Sequence, residues 1–501
     1  VPPYGQTVLR DLGAVLHVPG AMALVSLPLA WLFDEAYATL PLVITAAASL
    51  VPGQVLYRRY RHAESMRLRQ AMVTVVLSWA FVPLIGLLPL LLIARHLAGQ
   101  PGAPEAVLVF GNFWNAAFEA MSGFTSTGLT MTARTSALPH CLQWWRSFMQ
   151  WVGGVGVIVL MLSVFHPSGD AERLYFSEGR SEGPLPGIAS SVRTTWWIYL
   201  LYTALAIVLL RLAGMDWWQA VNYGMTGIAT GGFGITDNSM ADFGAGPRLA
   251  MIVIMLTGAI SFATHYRMLT TGRISELWRS AEYRVMLVLL IGGTLALGAE
   301  NRWYGSPGGW LDDLFQWTSA LATAGFSTLA LQDWSPTALV LLSLAMMCGG
   351  AAGSTTGGLK LTRVVLLAQG AYARVRGAAL HPWRLMEHKP MADAAAEHHA
   401  RRMLEAATIM ATLWAISPLA GTILLLHATA GRVDLSLVVA EVASALGNVG
   451  LSTGITDPGL PWFGKLGLIT LMWLGRLEIV PVLVVVAALM MGLRPRHHHT
   501  D

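Results

Sequence analysis

Residues 121–130 read MSGFTSTGLT, and the pattern returns as MTGIATGGFG at 225–234, SALATAGFST at 319–328 and SALGNVGLST at 444–453. Aligned on one glycine, each copy has Ser or Thr, then Gly or Ala, then an apolar residue. Three mostly small or polar residues, the glycine and Leu or Phe follow. The shared glycines are Gly128, Gly232, Gly325 and Gly450, about 100 residues apart. Such internal repetition governs the reading of a long chain. Ahead of each copy lies a short apolar segment: NFWNAAFEAM (112–121), DWWQAVNYGM (216–225), LDDLFQWTSAL (311–321) and DLSLVVAEVASAL (434–446). These are too short to cross a bilayer and suit re-entrant helices. Asn112, Asp216, Asp312 and Asp434 open them, residue types that cap helices and favour the positive helix end.

Composition supplies the setting. The chain has 501 residues, 54 % apolar and only 12 % charged. Soluble domains carry about 25 % charged residues, so both a soluble protein and a disordered one are excluded. Ten spans are expected, at 10–33, 38–56, 70–97, 139–166, 192–213, 246–270, 282–299, 336–373, 402–429 and 462–492. The longest must tilt, break or extend beyond the bilayer. The links around Arg58–Arg69, Arg267–Arg284 and Arg363–Arg402 are basic, and those between are basic-poor. The positive-inside rule puts the basic links, and with an even span count both termini, in the cytoplasm. Net charge +4 then reflects inner loops, not nucleic-acid binding. Cys141 and Cys348 lie far apart in apolar stretches and point to no disulfide framework. No cleavable signal is evident. The His497-His498-His499 tail reads as a polar tail rather than a metal site.

Each unit is therefore span, half-helix, glycine-bearing loop, span. Non-helical backbone at membrane depth persists only when buried in protein or lining a wet cavity. Four loops entering from one side converge around a shared axis, with the negative ends of four half-helices aimed inward. Carbonyls and Ser or Thr hydroxyls without a fixed counter-charge suit a monovalent cation that must enter and leave quickly. Packing motifs of small residues do not explain four copies in register.

With FTSTG (124–128), IATGG (228–232), TAGFST (323–328) and ALGNVG (445–450), the chain resembles the Trk/Ktr/HKT superfamily of potassium transporters, in its bacterial TrkH-type branch. QWVGGVG (150–156), SFATHY (261–266), GGAAGSTTGGLK (349–360) and GRLEI (475–479) add to the match, which covers about residues 70–490. The resemblance implies an all-α polytopic membrane protein. Residues 1–66 form an N-terminal helix pair, and four span–pore-helix–span repeats follow at 67–168, 169–274, 275–378 and 379–501 around a pseudo-four-fold pore. It implies a selectivity filter for K⁺ at Thr125, Ser126, Thr127 and Gly128; Ala229, Thr230, Gly231 and Gly232; Ala322, Thr323, Ala324 and Gly325; and Gly447, Asn448, Val449 and Gly450. In plant relatives that favour sodium the first filter glycine is often serine, so Gly128 argues for potassium. The resemblance further implies a homodimer in the bacterial inner membrane. The implied partner is a cytosolic TrkA-type ring of Rossmann-fold subunits binding ATP, ADP or NAD(H).

Five glycines, Gly349, Gly350, Gly353, Gly357 and Gly358, interrupt the span at 336–373 together with Ser354, Thr355 and Thr356. Each glycine costs a helix about 1 kcal/mol relative to alanine, so this stretch reads as an unwound mid-membrane loop. In the family it is a gate; a glycine-softened kink for close packing is the other reading. Arg476 stands inside the last span, and in the family the matching arginine reaches the gating loop. A structural arginine paired within the core is the alternative. Glu478, two residues on, faces elsewhere and is a poor partner for it. Arg146 either neutralises Glu119 or snorkels to the interface. Lys360 and Arg363 are expected to mark the inner membrane surface, and His265 and Tyr266 to pack or meet lipid there. Asp237 and Asp457 either concentrate cations at the outer mouth or are ordinary loop carboxylates. Gly153, Gly154 and Gly156 allow close packing or bending beside the pore.

No nucleotide or nucleophile motif is present, so the chain is not read as an enzyme. Two other classes remain: a secondary transporter coupled to H⁺ or Na⁺, that is, a symport, and the potassium-binding membrane subunit of a P-type ATPase. Four same-orientation repeats favour a pore over the first, and the glycine-rich break with GRLEI favours the TrkH type over the second.

Overall fold

The computed structural model describes residues 3–64, 68–164, 188–380 and 391–490, and among them every regular element is a helix. Residues 170–187 of one link, Arg67, Arg384, Lys389 and the histidine tail lie outside the described residues.

Each copy of the repeat folds as a leading helix, a half-helix, a glycine loop and a closing helix. The leading helices are Leu68–Leu97, Ile188–Leu212, Ala281–Tyr304 and Met391–Ala428. At 1.5 Å per residue, such lengths match about 30 Å of hydrocarbon. The half-helices Phe113–Phe124, Trp217–Ile228, Trp310–Leu321 and Leu435–Gly447 have 12 or 13 residues and reach about 20 Å at most. Their starts follow local chemistry. Asn112 accepts from Trp114 N at 2.8 Å, and Asp216 forms a capping box with Gln219. Asp434 sits at the cap position without a side-chain bond. Asp312 is not the cap: Gly309 holds that place, and Asp312, three residues in, accepts from Gly309 N at 3.0 Å. It is the reciprocal half of a capping box, free to pair with Arg248 at 3.1 Å.

The units close into a ring. Each half-helix packs on its own leading helix and on the closing helix of the preceding unit, and the fourth closing helix returns to the first half-helix. The N-terminal helices, Pro3–Val15 continued by His17–Leu32 and then Thr39–Arg59, pack beside the first unit. Glu35, between them, accepts from His140 N at 2.7 Å and Cys141 N at 2.8 Å and so caps the first closing helix. Exposed Trp31, Trp217, Trp303, Trp310 and Trp462 sit at the end where the half-helices begin, the interfacial belt expected of tryptophan in a bilayer.

Among the described residues six helices are long and apolar enough to cross a membrane unbroken, and they are the N-terminal pair and the four leading helices. The other four expected spans are the closing helices, and all four are broken. Helix His140–Val164 kinks at Gly156 (φ 90°). Ala245–Ala259 meets Phe262–Thr271 at 100°. Pro336–Cys348 and Leu361–Leu380 are separated by loop 349–360. Trp462–Arg476 and Val480–Met490 are separated by Leu477, Glu478 (φ 57°) and Ile479 (φ 62°). Composition reveals the third break and hints at Gly156. The bend at Ile260–Ser261 has neither Gly nor Pro at its own two positions, and its freed carbonyls are satisfied from afar: Ala259 O accepts from Ala351 N at 3.0 Å and Gly258 O from Thr355 N at 3.2 Å. His265 stitches the bend from within, bonding Thr257 O at 3.0 Å and packing on the Tyr202 ring. It is buried rather than lipid-facing.

Candidate functional site: a ring of four glycine loops above an intramembrane loop

Each half-helix ends in the same way. The residue after the last helical turn is left-handed although it is not glycine: Ser126 (φ 51°), Thr230 (φ 50°), Thr323 (φ 47°) and Asn448 (φ 52°). The next N–H reaches back over five residues: Thr127 N to Ser122 O, Gly231 N to Thr226 O, Ala324 N to Ser319 O, and Val449 N to Ser444 O, at 2.8–2.9 Å. This is the Schellman arrangement that satisfies the last helix carbonyls, built with residues for which a left-handed backbone costs about 1–2 kcal/mol. Strain of this kind persists only where the surroundings over-determine it.

The shared glycines interlock. A Cβ on Gly128 would press on Gly231 O, one on Gly232 would lie 2.7 Å from Ala324 O, one on Gly325 would press on Val449 O, and one on Gly450 on Thr127 O. All four have positive φ. Each loop thus touches the next and the last touches the first. The geometry brings the loops Thr125–Gly128, Ala229–Gly232, Ala322–Gly325 and Gly447–Gly450 together in a closed ring, at the negative ends of four half-helices.

A second repeated position escaped the sequence reading. Nine residues before each shared glycine stands a polar side chain that ties the returning strand to the half-helix. Glu119 accepts from Met131 N at 2.8 Å and Thr130 Oγ1 at 2.9 Å. Glu441 accepts from Thr453 N at 2.6 Å and Thr456 N at 3.2 Å. Gln316 accepts from Thr328 N at 3.1 Å, and Tyr223 meets Thr236 Oγ1 at 2.7 Å. Extending the gap-free alignment nine residues upstream puts all four in one column. Arg146 bonds Glu119 at 2.7 Å, donates to Gly234 O at 3.0 Å and lies over the Phe233 ring. It is buried with its partner, so it neutralises Glu119 and does not snorkel. Glu441 is fully buried with neutral donors alone: two N–H groups and the hydroxyls of Ser452 and Thr453.

Beneath the ring lies loop 349–360, buried throughout its centre. Thr355 is its hub. The Thr355 hydroxyl donates to Ile228 O at 3.1 Å or Gly258 O at 3.0 Å and meets Thr230 Oγ1 at 3.2 Å. Gly357 N donates to Thr323 Oγ1 at 2.8 Å. Arg476 donates to Thr355 O at 3.1 Å and to the carbonyls of Gly153 and Gly154. Lys360 and Arg363 turn into the protein. Lys360 is buried and folds back onto Thr356 O. Arg363 pairs with Glu478 and donates to Leu359 O. An unwound loop frees carbonyls, and these cations satisfy them. Glu478, without a partner in the sequence reading, finds one 115 residues away. Asp237 and Asp457 are exposed, and Asp237 holds Ser136 N of the neighbouring unit at 2.9 Å. Gln150 is a further missed residue: its amide donates to Gly231 O and accepts from Phe233 N at 2.9 Å.

A single chain with four helix–half-helix–helix units, a closed ring of glycine loops and a buried loop below it has the build of a membrane transport protein. Comparison with known proteins gives the family. The TrkH family model, described as cation transport protein, matches residues 42–295 and 308–492, and the chain belongs to that family. It is 30 % identical to an uncharacterized cation transporter of Methanocaldococcus jannaschii, over 96 % of this chain and 95 % of that one. It is also 30 % identical to the Trk system potassium uptake protein TrkH of Vibrio parahaemolyticus, over 96 % and 98 % of the two chains. The protein of that name from Escherichia coli K12 is 30 % identical over 88 % and 90 %. The crystal structure of the potassium transporter TrkH from V. parahaemolyticus superimposes with a TM-score of 0.79 at 27 % identity, covering 98 % of both chains. The family is one of transporters and not of enzymes.

Proposed function

We propose that the chain carries potassium into the cell through the ring, which acts as its selectivity filter. The observation that supports this most is the closed contact of Gly128, Gly232, Gly325 and Gly450, each with the carbonyl before the next glycine. Four half-helix dipoles and the loop carbonyls give a dehydrated monovalent cation oxygen ligands on every side. The oxygens that the ring offers are carbonyl dipoles rather than carboxylates, so the ion can leave.

Loop 349–360 is the gate. It bonds two of the four filter loops from below, through Thr230 and Thr323, and Arg476 holds it by Thr355 O. The guanidinium also places a positive charge under the filter, which disfavours an arriving cation. Opening requires Arg476 and Thr355 to part. The cell-side trigger is a cytosolic nucleotide-binding regulator of the TrkA type docking on the basic links. The protein works as a homodimer in the bacterial inner membrane with both termini in the cytoplasm, its surface met by lipid at the exposed tryptophans. Coupling to H⁺ or Na⁺ is the competing reading.

Flux from proteoliposomes, with K⁺ or Na⁺ inside, tests the proposal. K⁺ efflux above that of empty vesicles, with Na⁺ slower, supports it. Equal passage of both ions overturns the filter assignment. Flux that depends on a pH or Na⁺ gradient replaces the channel with a coupled transporter. Indifference to nucleotide with the ring bound removes the regulator.

A further inference from the structure

The four carbonyls that abut the filter glycines are those of Thr127, Gly231, Ala324 and Val449. Among the described residues, Gly231 O is the one of these that accepts from a side chain, the amide of Gln150. Gln150 is fully buried and fixed from three directions. Its Nε2 donates to Gly231 O, its Oε1 accepts from Phe233 N at 2.9 Å, and its own carbonyl accepts from Ser126 Oγ at 3.1 Å. It therefore grips the second filter loop on both sides of Gly232 and touches the first.

One turn further along the same helix are Gly153 and Gly154, whose carbonyls accept from Arg476. Both glycines are pressed against the ring's supports. A Cβ on Gly153 would press on Phe124 O, and one on Gly154 would lie 2.8 Å from the Ala229 Cβ. The helix kinks two residues later at Gly156. Residues 150–154 thus form one helical turn with the gate arginine at one end and a filter carbonyl at the other.

We infer that Gln150 is a specificity-determining positioning residue that couples the gate to the second filter loop through the turn 150–154. While Arg476 holds Gly153 O and Gly154 O, the turn is fixed and Gln150 fixes the direction of Gly231 O. When Arg476 withdraws, the turn is released at one end and the second loop changes its fit to the ion. Coupling between two sites is reciprocal, so a filter occupied by its preferred ion also biases the position of Arg476. Among the described residues the other three loops have no such tie, and they keep the ring in register while one carbonyl is adjusted. This inference rests on the filter and gate assignments proposed above.

The test is a double-mutant cycle on the K⁺/Na⁺ flux ratio in proteoliposomes of the full chain. Gln150→Met keeps the length of the side chain and removes both bonds. Coupled sites differ by about fivefold or more. Arg476→Ala in the otherwise native chain is expected to shift the ratio by about that factor. In Gln150→Met the ratio is already shifted, and adding Arg476→Ala raises flux without moving the ratio further. A merely structural glutamine gives multiplied effects instead, and that result overturns the inference. So does an unchanged ratio in Arg476→Ala. Should Gln150→Met not elute as a folded protein, Gln150→Glu gives the same readout. It keeps the acceptor for Phe233 N and loses the donor to Gly231 O. Absence of K⁺ flux in the native chain sinks the proposed function itself and is read before any variant.

Discussion

The ring of glycine loops and the layer of helix breaks beneath it come from the same four repeats, yet they treat repetition in opposite ways. In the ring, the left-handed residue, the five-residue return bond and the interlocking glycine recur with φ values of 47–52° at the first position. In the layer below, no two breaks are alike: a glycine kink, a 100° bend, a long loop and a pair of left-handed residues. On the proposed reading, the ring surrounds a bare ion and needs equal ligands on every side, while the layer below opens and needs one segment to move against three that stay.

The largest effects are expected from breaking the symmetry of the ring. Alanine at Gly128, Gly232, Gly325 or Gly450 puts a Cβ closer than 3.0 Å to a neighbouring carbonyl in a backbone that disfavours L side chains. Each substitution should abolish K⁺ uptake in a transport-deficient strain while membrane insertion persists. Normal uptake by any one variant would show that its quadrant does not serve the ring. Next come the ties behind it. Arg146→Met leaves Glu119 buried without its counter-charge, at a cost of about 3–5 kcal/mol, read as a lower melting temperature in detergent. Glu119→Gln in the same chain should recover much of the loss, and no recovery would mean that Arg146 acts through its other contacts.

Smaller effects are expected below the ring, where one contact differs from the rest. Arg476→Ala removes charge-assisted bonds worth about 1.5–3 kcal/mol, so basal K⁺ flux should rise about tenfold or more. Unchanged flux at normal expression removes Arg476 from the gate. Arg363→Glu breaks the pair with Glu478. Its loss should raise basal flux several-fold, and Arg363→Glu with Glu478→Arg should reverse the rise. If the charge swap does not reverse it, the pair is incidental to gating.

What the sequence made legible follows the same divide. The repeated half was readable because four copies in register can be compared with one another: the half-helices, the shared glycines and three of the four opening residues stand in columns. The column of Glu119, Tyr223, Gln316 and Glu441 was equally open to comparison but changes residue type, so it did not look like a column. The unrepeated half was mostly hidden. Loop 349–360 announced itself by its glycines. The bend at Ile260–Ser261 and the break at Glu478–Ile479 did not, because they are held by partners nearly a hundred or more residues away. A cation after a span is expected at a surface, which is where the sequence alone points for Lys360 and Arg363. The freed carbonyls that draw them inward exist only in the folded loop.

All four quadrants of the ring are encoded in one chain. In a pore assembled from four identical subunits, one codon changes every quadrant together, and a donor such as the Gln150 amide would appear four times or not at all. On the proposed filter assignment, a single substitution here alters one quarter of the ion's surroundings and leaves three quarters as they were. Mutation can therefore change the proposed filter one ligand at a time, and among the described residues one ring carbonyl has a side-chain donor, the Gln150 amide, where its three counterparts have none.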